Sequence, residues 1–391
     1  MELSISKKDF LRGLARTHAV ADRKSSMPIL SNVLLSADDS GVLRFAATDL
    51  YLAVSASAEA DVKRAGTVAL SARTLFDIVK NLPEGEVKLG LDKHNAVLLR
   101  SGKIKFRIPG MPGEDFPPLP SAGEGGFADI DASLLSQLIA LTQYSMSSDD
   151  TRPHLAGTLF ELDGRAVRMV TTDGHRLSKA EVPYEAPTRF SILVPSKGIA
   201  ELKRLLEDAK SEKRPVSSDK GPEKNDEKAE LTPAGPAKVG VATVGGNAFF
   251  RGQDVQLSVK LADEQFPPYA KVIPQSHSRR VIAARDLLVD SLRRISLVAS
   301  DKSGGVRLAL EPGKLEIVSE NPDVGEGSEE LDVDFAGEKV AIGFNARYLL
   351  EALQAMTDDE VVIELGGELD PGVIKPVHDG RFVGVIMPMR I

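Results

Sequence analysis

The residues best equipped for proton transfer in this chain are Asp173-Gly174-His175-Arg176, an acid and a base within four positions. Neighbours in one tight turn rarely point at the same substrate atom, so this pairing is a poor acid–base site. No serine or cysteine nucleophile motif accompanies it, and cysteine is absent altogether. That removes disulfides, thiolate metal sites and thiol nucleophiles together. The six histidines, at 18, 94, 154, 175, 277 and 378, lack metal-ligand spacing. Neither a Walker loop nor a glycine-rich dinucleotide fingerprint occurs. An enzyme is therefore the weaker reading, and no cofactor and no metal are expected. The chemistry that remains is recognition. Lysines and arginines on helical stretches can hold phosphates. The terminal run, Val385-Ile386-Met387-Pro388-Met389-Arg390-Ile391, sets a methionine on either side of a proline and also reads as an edge strand closing the last sheet.

A net charge of −8 argues against a protein that binds DNA over its outer surface. It leaves room for an acidic body around one basic channel, where the acidic outside concentrates positive potential in the hole. At 391 residues the chain predicts two to three domains, each with its own core. Its 42% hydrophobic and 27% charged residues are those of a globular protein. No apolar run approaches the roughly 18 residues that span a bilayer, and Met1-Glu2-Leu3-Ser4-Ile5 lacks a signal-peptide pattern. A cytoplasmic location without membrane contact is the expectation.

The elements that position these residues come in three copies. Amphipathic helices are predicted at 8–15, 133–140 and 286–292, each opening a repeat, with Ser6 and Asp131 as N-caps of the first two. Second helices are predicted at 71–79, 196–202 and 345–350, each introduced by Ser or Asn. Strand-like alternation surrounds them at 42–47, 166–170 and 314–318. Thr48-Asp49-Leu50 echoes Thr172-Asp173-Gly174, and Phe116-Pro117-Pro118 echoes Phe266-Pro267-Pro268. An insertion at about 209–238 mixes both charge signs and holds almost no large apolar residue, so it reads as a mobile loop or a docking segment. The expected class is α+β, with helix pairs packed on antiparallel sheet. The expected domains are 1–122, 128–275 and 278–391. Repeats in a row form an arc, which stays open or closes by self-association.

Met27-Pro28-Ile29-Leu30-Ser31-Asn32, Asn81-Leu82-Pro83-Glu84-Gly85, Thr172-Asp173-Gly174-His175-Arg176-Leu177, Phe266-Pro267-Pro268-Tyr269, Gly304-Gly305-Val306-Arg307-Leu308 and the terminal run resemble, in register, the β-subunit family of bacterial DNA polymerase III. The resemblance runs from end to end, broken mainly by the insertion. It implies a non-catalytic sliding clamp of three tandem repeats. Two such chains would join head to tail in a six-domain ring, with helices lining the hole. It implies double-stranded DNA as an encircled, non-sequence-specific partner. Polymerase III alpha subunit, clamp loader, and other polymerases and repair proteins would be its protein partners.

Carried over residue by residue, the family's peptide pocket falls on Leu155, Thr172, Gly174, His175, Arg176, Leu177, Pro267, Lys271, Val272, Asn345, Tyr348, Val385, Met387, Pro388, Met389, Arg390 and Ile391. Its DNA contacts fall on Lys24, Arg73, Lys80, Arg152, His154 and Lys197. Ring closure falls on Phe106 and Ile108 of one chain against Leu297 and Val298 of the other. Three positions depart from the pattern. Lys271 stands where an arginine is expected and loses the planar fork, while Pro153 and His154 replace aromatics.

Overall fold

The computed structural model describes residues 1–22, 25–123, 126–149, 151–186, 188–211, 237–299 and 304–390. Lys24, Ile391 and residues 212–236 of the insertion lie outside them. Among the described residues the helices are α1 (Lys7–Thr17), α2 (Ala72–Lys80), α3 (Ala132–Thr142), α4 (Ser196–Ser211), α5 (Arg285–Ile295) and α6 (Ala346–Ala355). All six cover the predicted stretches, but α4 runs on to Ser211, past the predicted end at 202 and through the first residues of the predicted insertion, because Leu202, Leu205 and Leu206 keep helical spacing on a buried face. None is long and apolar enough to cross a membrane.

The helix starts follow from local chemistry. Ser6 Oγ accepts the Asp9 amide at 3.1 Å, Ser71 Oγ accepts that of Thr74, and Asn345 Oδ1 accepts those of Arg347 and Tyr348. Each bond satisfies an otherwise orphaned amide, worth about 1 kcal/mol. Helix α5 departs from this: Ala284 caps it without a side-chain bond, and Asp286 in its first turn faces the positive end of the dipole.

The buried faces keep helical spacing. Helix α1 buries Phe10, Gly13, Leu14 and Thr17. A Cβ at Gly13 would lie 2.4 Å from the Phe45 ring, so only glycine lets this helix sit so close to its sheet. Helix α5 buries Leu288, Val289, Leu292 and Ile295 against the core that also holds Leu349 and Leu353 of α6.

The described residues form two compact units, Met1–Leu135 with Ala200–Leu261, and Ser136–Ile199 with Ala262–Ile391. The first holds a 13-stranded antiparallel sheet and the second an 8-stranded and a 4-stranded sheet. The middle repeat is thus divided between the units. Its strand Val255–Lys260 pairs with Leu52–Glu59 of the first repeat, aligning Leu257 with Val54. In the same way Phe382–Ile386 of the third repeat pairs with Arg176–Pro183 of the second, aligning Val385 with Leu177. The sequence predicts a small sheet for each repeat. Joining edges across repeats instead satisfies backbone groups that separate sheets would leave open.

The repeat is visible atom by atom in two turns. Thr48 Oγ1 donates to Leu52 O at 2.7 Å and accepts the Leu50 amide, while Asp49 Oδ1 accepts the amides of Tyr51 and Leu52. Thr172 Oγ1 donates to Arg176 O at 2.6 Å and accepts the Gly174 amide, while Asp173 Oδ1 accepts those of His175 and Arg176. Both third residues are left-handed, Leu50 at φ 74 and Gly174 at φ 91.

Candidate functional site

The Thr172–Arg176 turn forms one wall of an apolar cavity of about 190 Å³ in the second unit. Its lining residues Leu177 and Val385 belong to a core cluster with Leu159 and Val170, against which Phe266 and Tyr269 pack. Alternation on adjacent strands explains this: Leu177 and Val385 are cross-strand partners on one face. The lining is His154, Leu155, Thr172, Gly174, Arg176, Leu177, Pro267, Tyr269, Val272, Val385 and Met387. Met387 is 39% exposed and Val272 44%, so the rim presents apolar surface to solvent. The Met387 amide donates to His175 O at 2.9 Å, which pins the C-terminal run beside the turn.

Arg176 organises the wall. Its side chain is 6% exposed. Nε donates to Asp173 Oδ2 at 3.0 Å, Nη1 to Glu351, and Nη2 to Tyr144 O at 2.5 Å. The guanidinium also lies over the Tyr348 ring, 4.4 Å from its centroid. Below it, Ser178 Oγ donates to the Tyr144 hydroxyl at 2.7 Å. Burial pushes the Tyr144 phenol up to about 12, so it stays protonated at any physiological pH. Arg176→Met leaves two carboxylates facing each other without their cation. A loss of about 3 kcal/mol in stability is expected, read as an earlier urea midpoint.

Nine of the seventeen pocket residues carried over from the resemblance line the cavity: Leu155, Thr172, Gly174, Arg176, Leu177, Pro267, Val272, Val385 and Met387. Others stand apart from it. Asn345 is the cap of α6, and Tyr348 acts through Arg176. Lys271 and His175 are exposed beside the mouth. The Met389 amide bonds Gly343 O at 2.8 Å, and Pro388 and Arg390 flank it. Tyr269 was not among the carried residues. Its hydroxyl donates to Glu161 Oε2 at 3.0 Å, and burial followed by that carboxylate raises its phenol to about 12. The Phe266-Pro267-Pro268-Tyr269 motif held the signal for it. His154, expected beside the pocket among the DNA contacts, lines the cavity.

The basic residues divide by type. On the helices Arg12 pairs with Asp9, Arg73 with Asp77, Arg204 with Glu201, Arg293 with Asp290 and Arg347 with Glu351. Arg152 pairs with Asp149 at 2.9 Å. Lys8, Lys80, Lys197 and Lys203 have no carboxylate partner among the described residues, and Lys80 Nζ lies 6.0 Å from the Phe76 ring centroid. Arg73 and Lys80, seven positions apart on α2, share a helix face.

A second apolar surface lies in the first unit. Arg73, Ile78 and Leu82 of α2 and its C-terminal turn, with Ile104 and Phe106 of the strand Ile104–Pro112, line a shallow groove. Ile104 and Phe106 are 37% and 39% exposed. Ile108 was expected beside Phe106 at ring closure. It is 5% exposed and pairs with buried Val97, so it is a core residue, and Ile104 takes the open position. In the second unit Leu297 is 79% exposed on the 3-10 turn Ser296–Val298, with Val298 half-buried.

Family models of the DNA polymerase III beta subunit match the chain in three parts: the N-terminal domain at residues 1–120, the central domain at 129–220 and the C-terminal domain at 270–390. The Beta sliding clamp of Caulobacter vibrioides (strain NA1000 / CB15N) is 32% identical over 401 residues, covering 100% of both chains. That of Escherichia coli (strain K12) is 30% identical over 394 residues, again covering 100% of both. The crystal structure of the DNA polymerase III subunit beta from Pseudomonas aeruginosa superposes with a TM-score of 0.89 at 29% identity over 100% of both chains. A sliding clamp from Bartonella birtlesii bound to griselimycin gives 0.87 at 31% identity, also over 100% of both.

Proposed function

The chain belongs to the DNA polymerase III beta subunit family, and from that premise we propose that its partners dock in the cavity walled by the Thr172–Arg176 turn. It is a DNA sliding clamp, a non-catalytic processivity factor. Two chains form a ring around duplex DNA and tether the polymerase and other replication and repair proteins. We divide the chain into clamp repeats at 1–122, 128–275 and 278–391, and place it in the cytoplasm with the DNA it serves.

One observation carries the docking reading. The cavity exposes apolar Met387 and Val272 at its rim, while Thr172, Arg176 and Tyr269 are bonded to residues of the protein itself. Such a surface suits short segments that bury a few apolar anchors, and the thioether adapts to different ones. Griselimycin, bound by two of the clamps of similar structure, is a ligand we assign to the same cavity. DNA is held differently. The unpaired lysines attract phosphates without reading bases, and topological linkage makes strong affinity unnecessary.

We assign ring closure to Phe106 and Ile104 of one chain against Leu297 and Val298 of the other, and phosphate contact to Lys24, Arg73, Lys80, Arg152 and Lys197. The direct test is loading onto nicked circular DNA by a clamp loader, followed by gel filtration. The protein is expected to co-elute with the circle at high salt and to be lost when the circle is cut. Retention on linear DNA at the same salt would overturn the encircling mode.

A further inference from the structure

The turn that walls the docking cavity has a twin in the first unit, and the twin carries different side chains. Thr48 and Asp49 hold its backbone through the same four bonds that Thr172 and Asp173 make. The strand that comes in from the following repeat is fastened alike. Lys260 N donates to Tyr51 O at 2.8 Å, as Met387 N donates to His175 O at 2.9 Å. Leu50, Tyr51 and Lys260 therefore occupy the places of Gly174, His175 and Met387. Leu50 is 52% exposed and Tyr51 66%, so this turn presents an aliphatic and an aromatic side chain to solvent side by side. Lys260, also exposed, sets its Nζ 5.6 Å from the centroid of the Tyr51 ring and pairs with no carboxylate among the described residues.

Resting on the docking reading above, we propose that Leu50, Tyr51 and Lys260 form a second contact surface, which enters an apolar recess with a carboxylate at its rim on a polymerase already tethered through the cavity. The backbone singles out Leu50. Its φ of 74 is a conformation that glycine, present at the matching place in the second repeat, takes freely and leucine takes only at a cost. A leucine there strains the turn and buries little of itself, so its side chain does nothing for the fold that glycine would not do. The four bonds under the turn hold Leu50 and Tyr51 ready-placed, and binding then loses little chain entropy. Charge sets the complement. Asp49 is engaged by the amides of Tyr51 and Leu52, and Lys260 is the cation beside the ring, so the apolar pair suits a recess edged by an acid. Size sets the kind of partner. Three side chains fall far short of the roughly 800 Å² per partner that a stable interface buries. Such a patch contributes only to a protein that another contact already keeps at high local concentration.

The test measures binding of the intact polymerase III alpha subunit and of labelled griselimycin to the full chain. In Leu50→Gly and in Tyr51→Ser the polymerase should bind about tenfold more weakly, while griselimycin binds as it does to the wild type. Leu50→Gly should keep its melting temperature, because relief of the left-handed leucine offsets the looser unfolded chain. Lys260→Glu should weaken the polymerase as well, and Lys260→Arg should not. Unchanged polymerase binding in Leu50→Gly and Tyr51→Ser would overturn the proposal. So would a fall in griselimycin affinity and melting temperature alongside that of the polymerase, since the turn would then be a support of the fold. If griselimycin fails to compete with the polymerase on the wild type, the docking reading falls alone, and the Leu50→Gly result still decides this surface. A polymerase that does not bind the wild type would overturn both.

Discussion

Replacing Leu297 and Val298 together with aspartate is expected to turn the two-chain ring into single chains that no longer stay on circular DNA. Leu297 is 79% exposed on one chain, an unusual position for a large aliphatic residue unless another surface covers it. In the proposed ring the groove beside α2 is that surface, with Ile104 and Phe106 each more than a third exposed. The strand Ile104–Pro112 bonds Ala96–Ser101 along one edge, and along its other edge bonds Gly66–Ser71 only through Gly110, Met111 and Pro112. Its first residues therefore keep an open edge where a second chain can add strand pairing. Burying a leucine and a valine contributes about 1.5–3 kcal/mol each. Two carboxylates in their place add a desolvation cost of several kcal/mol. Association should weaken by at least about a thousandfold. Sedimentation velocity should show one species of 41.9 kDa, with helix content unchanged. A variant that still sediments at twice that mass would refute this interface.

Ending the chain at Ile386 should abolish partner binding while leaving the dimer intact. Truncation removes Met387 from the cavity rim and two backbone bonds, Met387 N to His175 O and Met389 N to Gly343 O. It leaves the strand Phe382–Ile386 paired on both sides, and leaves Leu297 and Phe106 untouched. Losing the Met387 contact and the ordered rim should cost a bound peptide about 3 kcal/mol, over a hundredfold in affinity. Primer extension with polymerase and clamp loader should fall to the distributive level seen without a clamp. Processive synthesis by the truncated ring would show that partners dock elsewhere.

The helices were legible because their signals are local. Apolar residues recur at three and four positions, and Ser6, Ser71 and Asn345 announce the starts by chemistry that works within one turn. The Thr-Asp turn was legible for the same reason, since its hydroxyl and carboxylate reach only backbone two to four residues away. Sheet joining was not. Alternation tells which face of Leu52–Glu59 is buried, and nothing in it names Val255–Lys260 as neighbour. Ile104, Phe106 and Ile108 share one face by period two, and only depth within the sheet separates the buried from the open. The resemblance puts His154 beside the pocket and facing DNA, and the fold adds that it lines the cavity next to Leu155. Lys24 and Ile391 lie outside the described residues.

The pairing of arginines with carboxylates a turn away has a mechanical consequence. A guanidinium fork locks onto a phosphate in one orientation and must break two bonds to leave it. Arg73 and Arg152 share their guanidinium groups with Asp77 and Asp149, so among the proposed contacts the undivided cations are lysines, compact charges on flexible stems. A lysine can pass from one phosphate to the next with little reorientation. The proposed contacts thus imply a shallowly corrugated energy profile along the duplex, with little resistance to a travelling ring.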